Sequence, residues 1–261
     1  MVNTFPGGIH HFRFLVQYLL SFLDSSMRTI INISEVVKNY FRQPLLDLLY
    51  PQVCWLCNQL IGGDQQIVCR QCLNKLIPFR FQADSLKMNN HHYDQVHILY
   101  EFEDTVRMLI HLLKYKNCKG LAHIFAREAD NRFSGRWSKA YACVTAVPLH
   151  LVRQRERGYN QSALLAEHLA GCIGLPYSDS LIQRTRFTSS QTKLSRVKRR
   201  ANVASAFAAV KILHYDRILL VDDVVTTGST VDACARVLKE TGVKTVDVFA
   251  LANPILGDDH V

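Results

Sequence analysis

Residues 218–230 read Ile-Leu-Leu-Val-Asp-Asp-Val-Val-Thr-Thr-Gly-Ser-Thr and are the most informative part of the chain. The four leading apolar residues predict a buried strand, and the adjacent carboxylates of Asp222 and Asp223 follow at its carboxyl end. A loop rich in hydroxyl groups comes next, and a helical pattern begins near Val231. Because ligands of open α/β sheets bind outside the carboxyl ends of the strands, the stretch predicts a ligand site in an α/β domain.

The loop after the two aspartates has the chemistry of an anion site. Glycine and hydroxyl residues that open a helix offer backbone N–H groups and O–H donors to a phosphate. Two carboxylates cannot hold that phosphate, but they can accept hydrogen bonds from vicinal sugar hydroxyls or bind a hydrated magnesium ion. The combination predicts a ribose 5-phosphate with a metal-bound diphosphate nearby. A solvated turn between a strand and a helix is the alternative interpretation.

The composition is that of a globular chain with a surplus of positive charge. Its 261 residues suit two domains, or one domain with a small module. Hydrophobic residues make up 48% of the chain, which predicts a packed core and excludes a wholly disordered protein. The formal charge of +9 favours a polyanionic ligand, either a small phosphorylated molecule or a nucleic acid. No stretch reaches the roughly 20 apolar residues of a membrane span, so we expect no transmembrane segment.

The chain divides into an extension, a cysteine-rich module and an α/β domain. Residues 1–43 form an N-terminal extension without a chemical motif, whose apolar part predicts an amphipathic helix. A translation start at Met27 is the other interpretation of that extension. The cysteine-rich module covers 44–78 and begins with a short helix. Residues 79–95 are polar and irregular, and we interpret them as a linker or surface loop.

From residue 96 onward, apolar patterns of strands alternate with those of helices. Strands are predicted at 96–102, 140–148, 217–221 and 245–252, and helices at 105–116, 121–133, 160–173 and 229–241. Such alternation predicts a mostly parallel sheet joined by right-handed crossovers. Residues 96–253 are therefore expected to form one α/β domain.

Two Cys-x-x-Cys pairs in the module predict a metal site. Their four members are Cys54, Cys57, Cys69 and Cys72, with eleven residues between the pairs. Four thiolates at this spacing favour tetrahedral Zn²⁺, with iron, a pair of disulfides or four free thiols as the alternatives. Four cysteine ligands leave no open position, so the expected zinc is structural. The other four cysteines are scattered, as in a chain from the reducing cytoplasm.

Basic residues concentrate in three further places. Arg153, Arg155 and Arg157 precede Gly158 and a helix that Asn160 is placed to cap, so a diphosphate or a plain charged loop fits here. Residues 184–200 contain seven basic residues and no acid. They suit a mobile lid over a polyanion, a nucleic-acid track or a solvated face. Lys114 ends a predicted helix, where it could reach a phosphate or complement the helix dipole.

Together these motifs resemble the ComF family, whose members are associated with bacterial competence. The resemblance covers about residues 44–253, and the motifs appear in the family's order. It is carried by the two Cys pairs, by 218–230, and by Lys114, Tyr115, Val147, Pro148, Arg155, Arg157, Gly158, Tyr159, Asn160, Gln161, Arg184, Thr188, Gln191, Leu194, Ser195, Arg199, Asn202 and Phe207. It implies a type I phosphoribosyltransferase-like parallel sheet flanked by helices, with a small N-terminal zinc ribbon.

The resemblance also implies a ligand and the residues that bind it. The ligand would be 5-phosphoribosyl-1-diphosphate (PRPP) with Mg²⁺, its ribose hydroxyls on Asp222 and Asp223. Its 5′-phosphate would lie in the loop of Thr226, Thr227, Gly228, Ser229 and Thr230. Arg157, Gly158 and Asn160 would complete the PRPP site, and Arg155, Arg157 and Lys114 would stabilise the departing diphosphate.

Two functions follow from the resemblance. The first is a pentosyl-transferring phosphoribosyltransferase in DNA uptake, whose acceptor the sequence does not identify. The second is a non-catalytic protein on the same fold that binds nucleotides or single-stranded DNA. A phosphoribosyltransferase of nucleotide metabolism is a further alternative. The partners expected from the family are PRPP, single-stranded DNA and the competence helicase or DNA-processing proteins, in the cytoplasm.

Overall fold

The computed structural model describes residues 51–62, 67–80, 91–133, 137, 141–185, 206–210 and 215–254. Predictions for the N-terminal extension, for the short helix that begins the cysteine module and for 186–200 lie outside these residues. The chain forms two compact units, residues 1–70 and 71–261, and the division falls within the short helix α1 (Arg70–Leu73). The larger unit contains the predicted α/β domain.

A parallel sheet is the centre of the larger unit. Among the described residues it has four strands, in the order β1 (Gln95–Glu101), β6 (Thr245–Asn253), β5 (Arg217–Val224) and β2 (Cys143–Ala146). Each neighbouring pair is parallel. In β5, Leu220 lies opposite Thr145 on one side and Val248 on the other. The parallel α/β sheet predicted from the sequence is confirmed.

Helices cover both faces of this sheet. Among the described residues, the helices of the larger unit that follow β1 are α2 (Asp104–Tyr115), α3 (Gly120–Phe133), α4 (Leu151–Arg157), α5 (Gln161–Ile173) and α6 (Ser229–Glu240). Ile218 and Leu220 share a core cluster with Val231 of α6. Since side chains alternate along a strand, Leu219 points to the opposite face, where α5 packs against β2 and β5. Among the described residues, no helix is long and apolar enough to cross a membrane.

Part of the predicted arginine-rich loop is a helix. Helix α4 has no buried residue, so it lacks the apolar stripe from which a helix can be read in a sequence. The His150 side chain caps its start by accepting from the Val152 N–H group at 3.2 Å. Gly158 ends it in the left-handed conformation, with φ at 77°. The helix fixes the direction in which its arginines leave the backbone.

Two other segments also differ from the sequence interpretation. Strands β3 (Ile182–Arg184) and β4 (Phe207–Ala209) form an antiparallel pair, which joins residues far apart in the chain and has no local signal. The segment interpreted as a linker contains Phe79 and Tyr93, which are 3% and 8% exposed. These two side chains are core residues of the larger unit.

Candidate functional site

The two aspartates of the signature lie among the last residues of β5, and the loop that follows opens α6. Asp222 is 9% exposed and Asp223 is 4% exposed. Strand β5 lies inside the sheet, between β6 and β2, and its apolar run is buried. The two aspartates that follow this run are therefore buried as well. Two adjacent carboxylates are therefore held at the carboxyl edge of a parallel sheet, where ligands bind in this architecture.

Asp222 is bound by two donors. Its Oδ1 atom accepts from the Ser162 hydroxyl at 2.9 Å and from the backbone N–H group of Asp223 at 2.9 Å. Burial raises the pKa of Asp222 above its ordinary value, and the neighbouring charge of Asp223 raises it further. The hydrogen bond from Ser162 and the charge of Lys114 oppose this shift only in part.

Asp223 is bound on both oxygens. Its Oδ2 atom forms an ion pair with the Lys114 ammonium at the end of α2, and its Oδ1 atom accepts from Gln161 Nε2 at 3.4 Å. The Lys114 side chain is 21% exposed, so its ammonium group stands at the rim of the site. Lys114 thus pairs with Asp223, and the Arg184 guanidinium interacts with the charge of Asp222. The two buried carboxylates are adjacent and still repel each other.

Arg157 connects the acid pair to the end of α2. It donates to Gln161 Oε1 at 2.9 Å and to the Tyr115 hydroxyl at 3.2 Å. Its guanidinium carbon also lies 5.0 Å from the centre of the Tyr115 ring, which is a cation–π contact. Through Gln161, the end of α4 and the start of α5 are tied to Asp223.

The predicted phosphate loop forms a turn with a left-handed glycine. Gly228 has φ at 72° and stands at the N-cap of α6, a conformation that favours glycine. The hydroxyl oxygens of Thr227 and Ser229 lie 2.9 Å apart, so the two side chains line one side of the turn. A helix N-terminus with hydroxyl donors suits an anion. Thr226 and Thr230 complete the turn, and Thr226 is exposed.

The other predicted binding residues lie around the start of α5. The Asn160 side chain accepts from the Ser162 N–H group at 3.0 Å and donates to the Val147 carbonyl at 3.0 Å, so it joins the helix to the end of β2. Gly158 makes the turn between α4 and α5. Arg155 is exposed on α4, and among the described residues no hydrogen bond or ion pair joins it to the acid pair.

The sequence predicted no individual role for Gln161, Ser162 or Tyr115, although Gln161 and Tyr115 belong to the motifs that carry the ComF resemblance. Gln161 and Ser162 are 3% and 1% exposed although both are polar and begin a helix. The feature that could have predicted their burial is their position directly after the capping Asn160. A helix that begins at the edge of a sheet directs its first side chains toward the strand ends. Tyr115 follows Lys114, and its role becomes visible only through its contact with Arg157.

The four cysteines of the two pairs come together. Their sulfur atoms lie within 4.8 Å of one another, and those of Cys57 and Cys69 are 3.7 Å apart. Tetrahedral zinc–thiolate bonds place sulfurs roughly 3.8 Å apart, whereas a disulfide bond is about 2.05 Å long. No disulfide bond joins any of the four cysteines, so the predicted alternative of two disulfides does not occur here. The cluster could hold a zinc ion.

Backbone N–H groups around this cluster favour the thiolate form of Cys54, which can bind a cation. Burial raises the pKa of Cys54, but the backbone N–H groups of Cys69, Cys57 and Leu56 outweigh it and lower the pKa to about 7. The Cys69 N–H group donates to Cys54 Sγ at 3.3 Å. The thiolate, the form that binds metal, is therefore accessible near neutral pH.

Comparison with known proteins identifies the family. A model of the phosphoribosyl transferase domain matches residues 159–258. Competence protein F of Haemophilus influenzae is 28% identical over 210 residues, which cover 75% of this chain and 90% of that protein. DNA utilization protein YhgH of Salmonella typhi is 30% identical over 206 residues, which cover 77% of this chain and 85% of that protein. The chain belongs to the ComF family.

A third ComF relative matches nearly the whole chain. Competence protein ComFC of Bacillus subtilis is 26% identical over 255 residues, covering 96% of this chain and 99% of that protein. The matched phosphoribosyl transferase region begins two residues before α5 and ends beyond β6, and so includes Asn160, both aspartates and the glycine turn. The fold is type I phosphoribosyltransferase-like, with a four-cysteine cluster at its N-terminal side.

Proposed function

We propose that this ComF-family chain binds PRPP with Mg²⁺ at the Asp222–Asp223 edge of the sheet and serves DNA uptake. One observation supports the proposal most. Two adjacent carboxylates are buried beside a helix-opening turn whose glycine is left-handed. Such a pair is costly to bury, and a ligand that donates hydroxyl groups and brings a cation would offset that cost. The names of the relatives, competence protein and DNA utilization protein, support the part in DNA uptake.

In this proposal each part of the site binds one part of the ligand. The turn at 226–230 donates backbone N–H and hydroxyl groups to the 5′-phosphate. The carboxylates accept from the ribose hydroxyls, so those hydroxyls replace the present hydrogen bonds from Ser162 and Gln161. When the ligand binds, the Lys114 ammonium group moves from Asp223 to the diphosphate. Its position at the rim of the site allows this movement.

The same residues fit Mg²⁺ bound with the diphosphate. Carboxylate and phosphate oxygens are the ligands that this ion prefers, and a bound cation would relieve the repulsion between the two adjacent carboxylates. The ion would supply charge neutralisation to the diphosphate. Arg157 is held beside the site by Tyr115 and Gln161 and contributes a second cation from the protein.

The reaction we propose is phosphoribosyl transfer. The bond between the anomeric carbon and the diphosphate oxygen breaks, its electron pair leaves with diphosphate, and a nucleophile forms the new bond to that carbon. Arg155, Arg157 and Lys114 would stabilise the leaving diphosphate, so positioning and charge supply most of the catalysis. Among the described residues, no side chain is placed as an obvious general base, and the acceptor brings its own nucleophile.

A specific surface favours single-stranded DNA as a second ligand. Tyr115 is 56% exposed beside the site, and Lys116 and Lys119 are exposed just after it. The Lys119 ammonium lies 5.0 Å from the centre of the Tyr159 ring. Exposed aromatic rings with neighbouring cations are the usual means of holding single strands without sequence preference.

One experiment separates the two functions. Purified protein is incubated with PRPP, Mg²⁺ and a panel of nucleobases or glutamine, and diphosphate release is measured. Release that depends on one acceptor supports the transferase. No release with any acceptor, together with salt-sensitive binding of single-stranded DNA, would reject the transferase and support the binding protein.

For the cysteine cluster we propose a structural Zn²⁺ in a short ribbon. The 3.7 Å separation of Cys57 and Cys69 sulfurs and the lowered pKa of Cys54 support it. Cysteines without disulfide bonds among the described residues also suit the cytoplasm, where we place the protein. Metal analysis of purified protein should find about one zinc per chain, since the four thiolates of the cluster form a single tetrahedral site.

A further inference from the structure

The segment that leads into β1 contacts the glycine turn of the candidate phosphate loop. Tyr93 is 8% exposed and belongs to the core cluster that includes Val231 of α6. A Cβ atom added to Gly228 would lie 2.8 Å from the Tyr93 hydroxyl oxygen and 3.6 Å from the nearest ring carbons. The tyrosine hydroxyl therefore occupies the space that a side chain at position 228 would need.

The residues before Tyr93 fasten this segment to the first turn of α6. Asp232 Oδ1 accepts from the backbone N–H group of His92 at 2.6 Å. The same oxygen lies 3.1 Å from Nδ1 of His92 and 3.4 Å from Nδ1 of His91. The His91 ring stacks on Tyr93, with centroids 4.8 Å apart and planes at 18°. Tyr93 is thus held from two sides, by the core and by α6.

We propose that Tyr93 is a positioning residue for the phosphate loop, and this rests on the proposed binding of a 5′-phosphate at 226–230. Its hydroxyl packs against Gly228 and keeps the turn in the left-handed conformation. In that conformation successive backbone N–H groups converge on one point and form an anion site. A loop held in the binding conformation before the ligand arrives loses less entropy on binding, so affinity for phosphate rises.

The first test measures the loop and the ligand in the same variants. Tyr93→Phe removes the hydroxyl and keeps the ring, and Tyr100→Phe is the matched control, because Tyr100 is 4% exposed in β1. We expect Tyr93→Phe to weaken ribose 5-phosphate binding about tenfold and to speed amide hydrogen exchange at 226–230. Tyr100→Phe should change neither, although it also removes a buried hydroxyl.

The two readouts distinguish the possible failures. If wild-type protein does not bind ribose 5-phosphate, the proposed function is wrong, and hydrogen exchange alone still decides whether Tyr93 orders the turn. If the wild type binds and Tyr93→Phe leaves both affinity and exchange unchanged, the role of Tyr93 is wrong. Loss of affinity in both tyrosine variants would show a general effect of core packing and would also reject that role.

A second variant tests the contact itself. Gly228→Ala places a methyl group against the tyrosine hydroxyl and also strains the turn, since φ is 72°. Combining it with Tyr93→Phe removes the closest contact and leaves ring carbons at an ordinary distance. We therefore expect the double variant to bind ribose 5-phosphate more tightly than Gly228→Ala alone. Equal or weaker binding by the double variant would contradict the proposed contact.

Discussion

Buried acids lie toward both ends of the central strands, but their surroundings differ. At the carboxyl end of β5, two adjacent carboxylates repel each other: Asp223 pairs with Lys114, and Asp222 interacts with the charge of Arg184. Toward the amino end of β6, Asp247 is fully buried and is matched by one guanidinium. Its Oδ2 atom accepts from the Tyr141 hydroxyl at 2.8 Å and lies 3.1 Å from Arg217 Nε.

The difference separates an acid that stabilises the fold from acids that we assign to a ligand. Burial raises the pKa of Asp247, and the Tyr141 hydrogen bond and the Arg217 charge oppose that shift. The Asp222 and Asp223 carboxylates are adjacent as well as buried, and their mutual repulsion adds to the cost of burial and lowers stability. Groups with perturbed pKa values in such surroundings are concentrated at functional sites.

The largest effect is expected at the carboxyl end. Asn at both Asp222 and Asp223 keeps the shape of the side chains but removes two charged acceptors of ribose hydroxyls. Each charged hydrogen bond contributes about 1.5–3 kcal/mol, so PRPP affinity should fall about 100-fold or more. Titration calorimetry with PRPP and Mg²⁺ measures this. Unchanged affinity in the double variant would show that the acid pair does not contact the ligand.

The reverse pattern is expected at the amino end. Asp247→Asn removes the charge of a fully buried acid, while its partner Arg217 is 36% exposed and stays partly hydrated, so the free energy of unfolding should fall by about 2 kcal/mol. PRPP affinity should stay within about twofold of wild type, because the acid lies at the other end of the sheet. Urea unfolding and calorimetry check the two values. A large loss of PRPP affinity in this variant would contradict the assignment of Asp247 to the stability of the fold alone.

A smaller effect is expected from pH. Because the pKa of Asp222 is raised in the folded protein, the folded state holds a proton that the unfolded state has lost. Ligand-free stability should therefore fall as pH rises above about 3.9, the ordinary aspartate pKa. Asp222→Asn should flatten this slope in urea unfolding at several pH values. The exposed Asp104→Asn variant is the control, and an equal change in both variants would contradict the assignment.

The smallest effect on either acid site is expected from the cysteine cluster. Cys54→Ser should remove most of the bound zinc, because one thiolate of the tetrahedral set is lost. PRPP affinity and the stability contributed by Asp247 should not change. Cys118→Ser, at a buried cysteine outside the cluster, should keep its zinc. Retention of zinc by the Cys54 variant, measured by metal analysis, would reject the four-cysteine site.

Features encoded in neighbouring residues were predictable from the sequence. The apolar run before Asp222, the glycine turn and the α6 pattern identify the strand, the loop and the helix, because each has a local signal. The boundaries of β6 and α5 also lie close to those predicted. The resemblance to ComF placed these elements in one fold, and the relatives confirm that family.

The features that were not predictable depend on contacts between distant residues. Nothing near Tyr93 indicates that it lies against Gly228, and nothing near Asp247 indicates Arg217 and Tyr141. Helix α4 has no buried face, so its sequence has no helical period. Such features become visible only once the sheet order brings the strand ends together.

The free energy of unfolding of the ligand-free Asp222→Asn, Asp223→Asn double variant tests most directly whether this acid pair is kept for a ligand. Removing two buried carboxylates that repel each other should leave the protein as stable as the wild type or make it more stable. Urea unfolding at neutral pH measures this beside Asp247→Asn. A loss of stability as large as that of Asp247→Asn would show that both ends of the sheet are structural, and would contradict the assignment of Asp222 and Asp223 to a ligand.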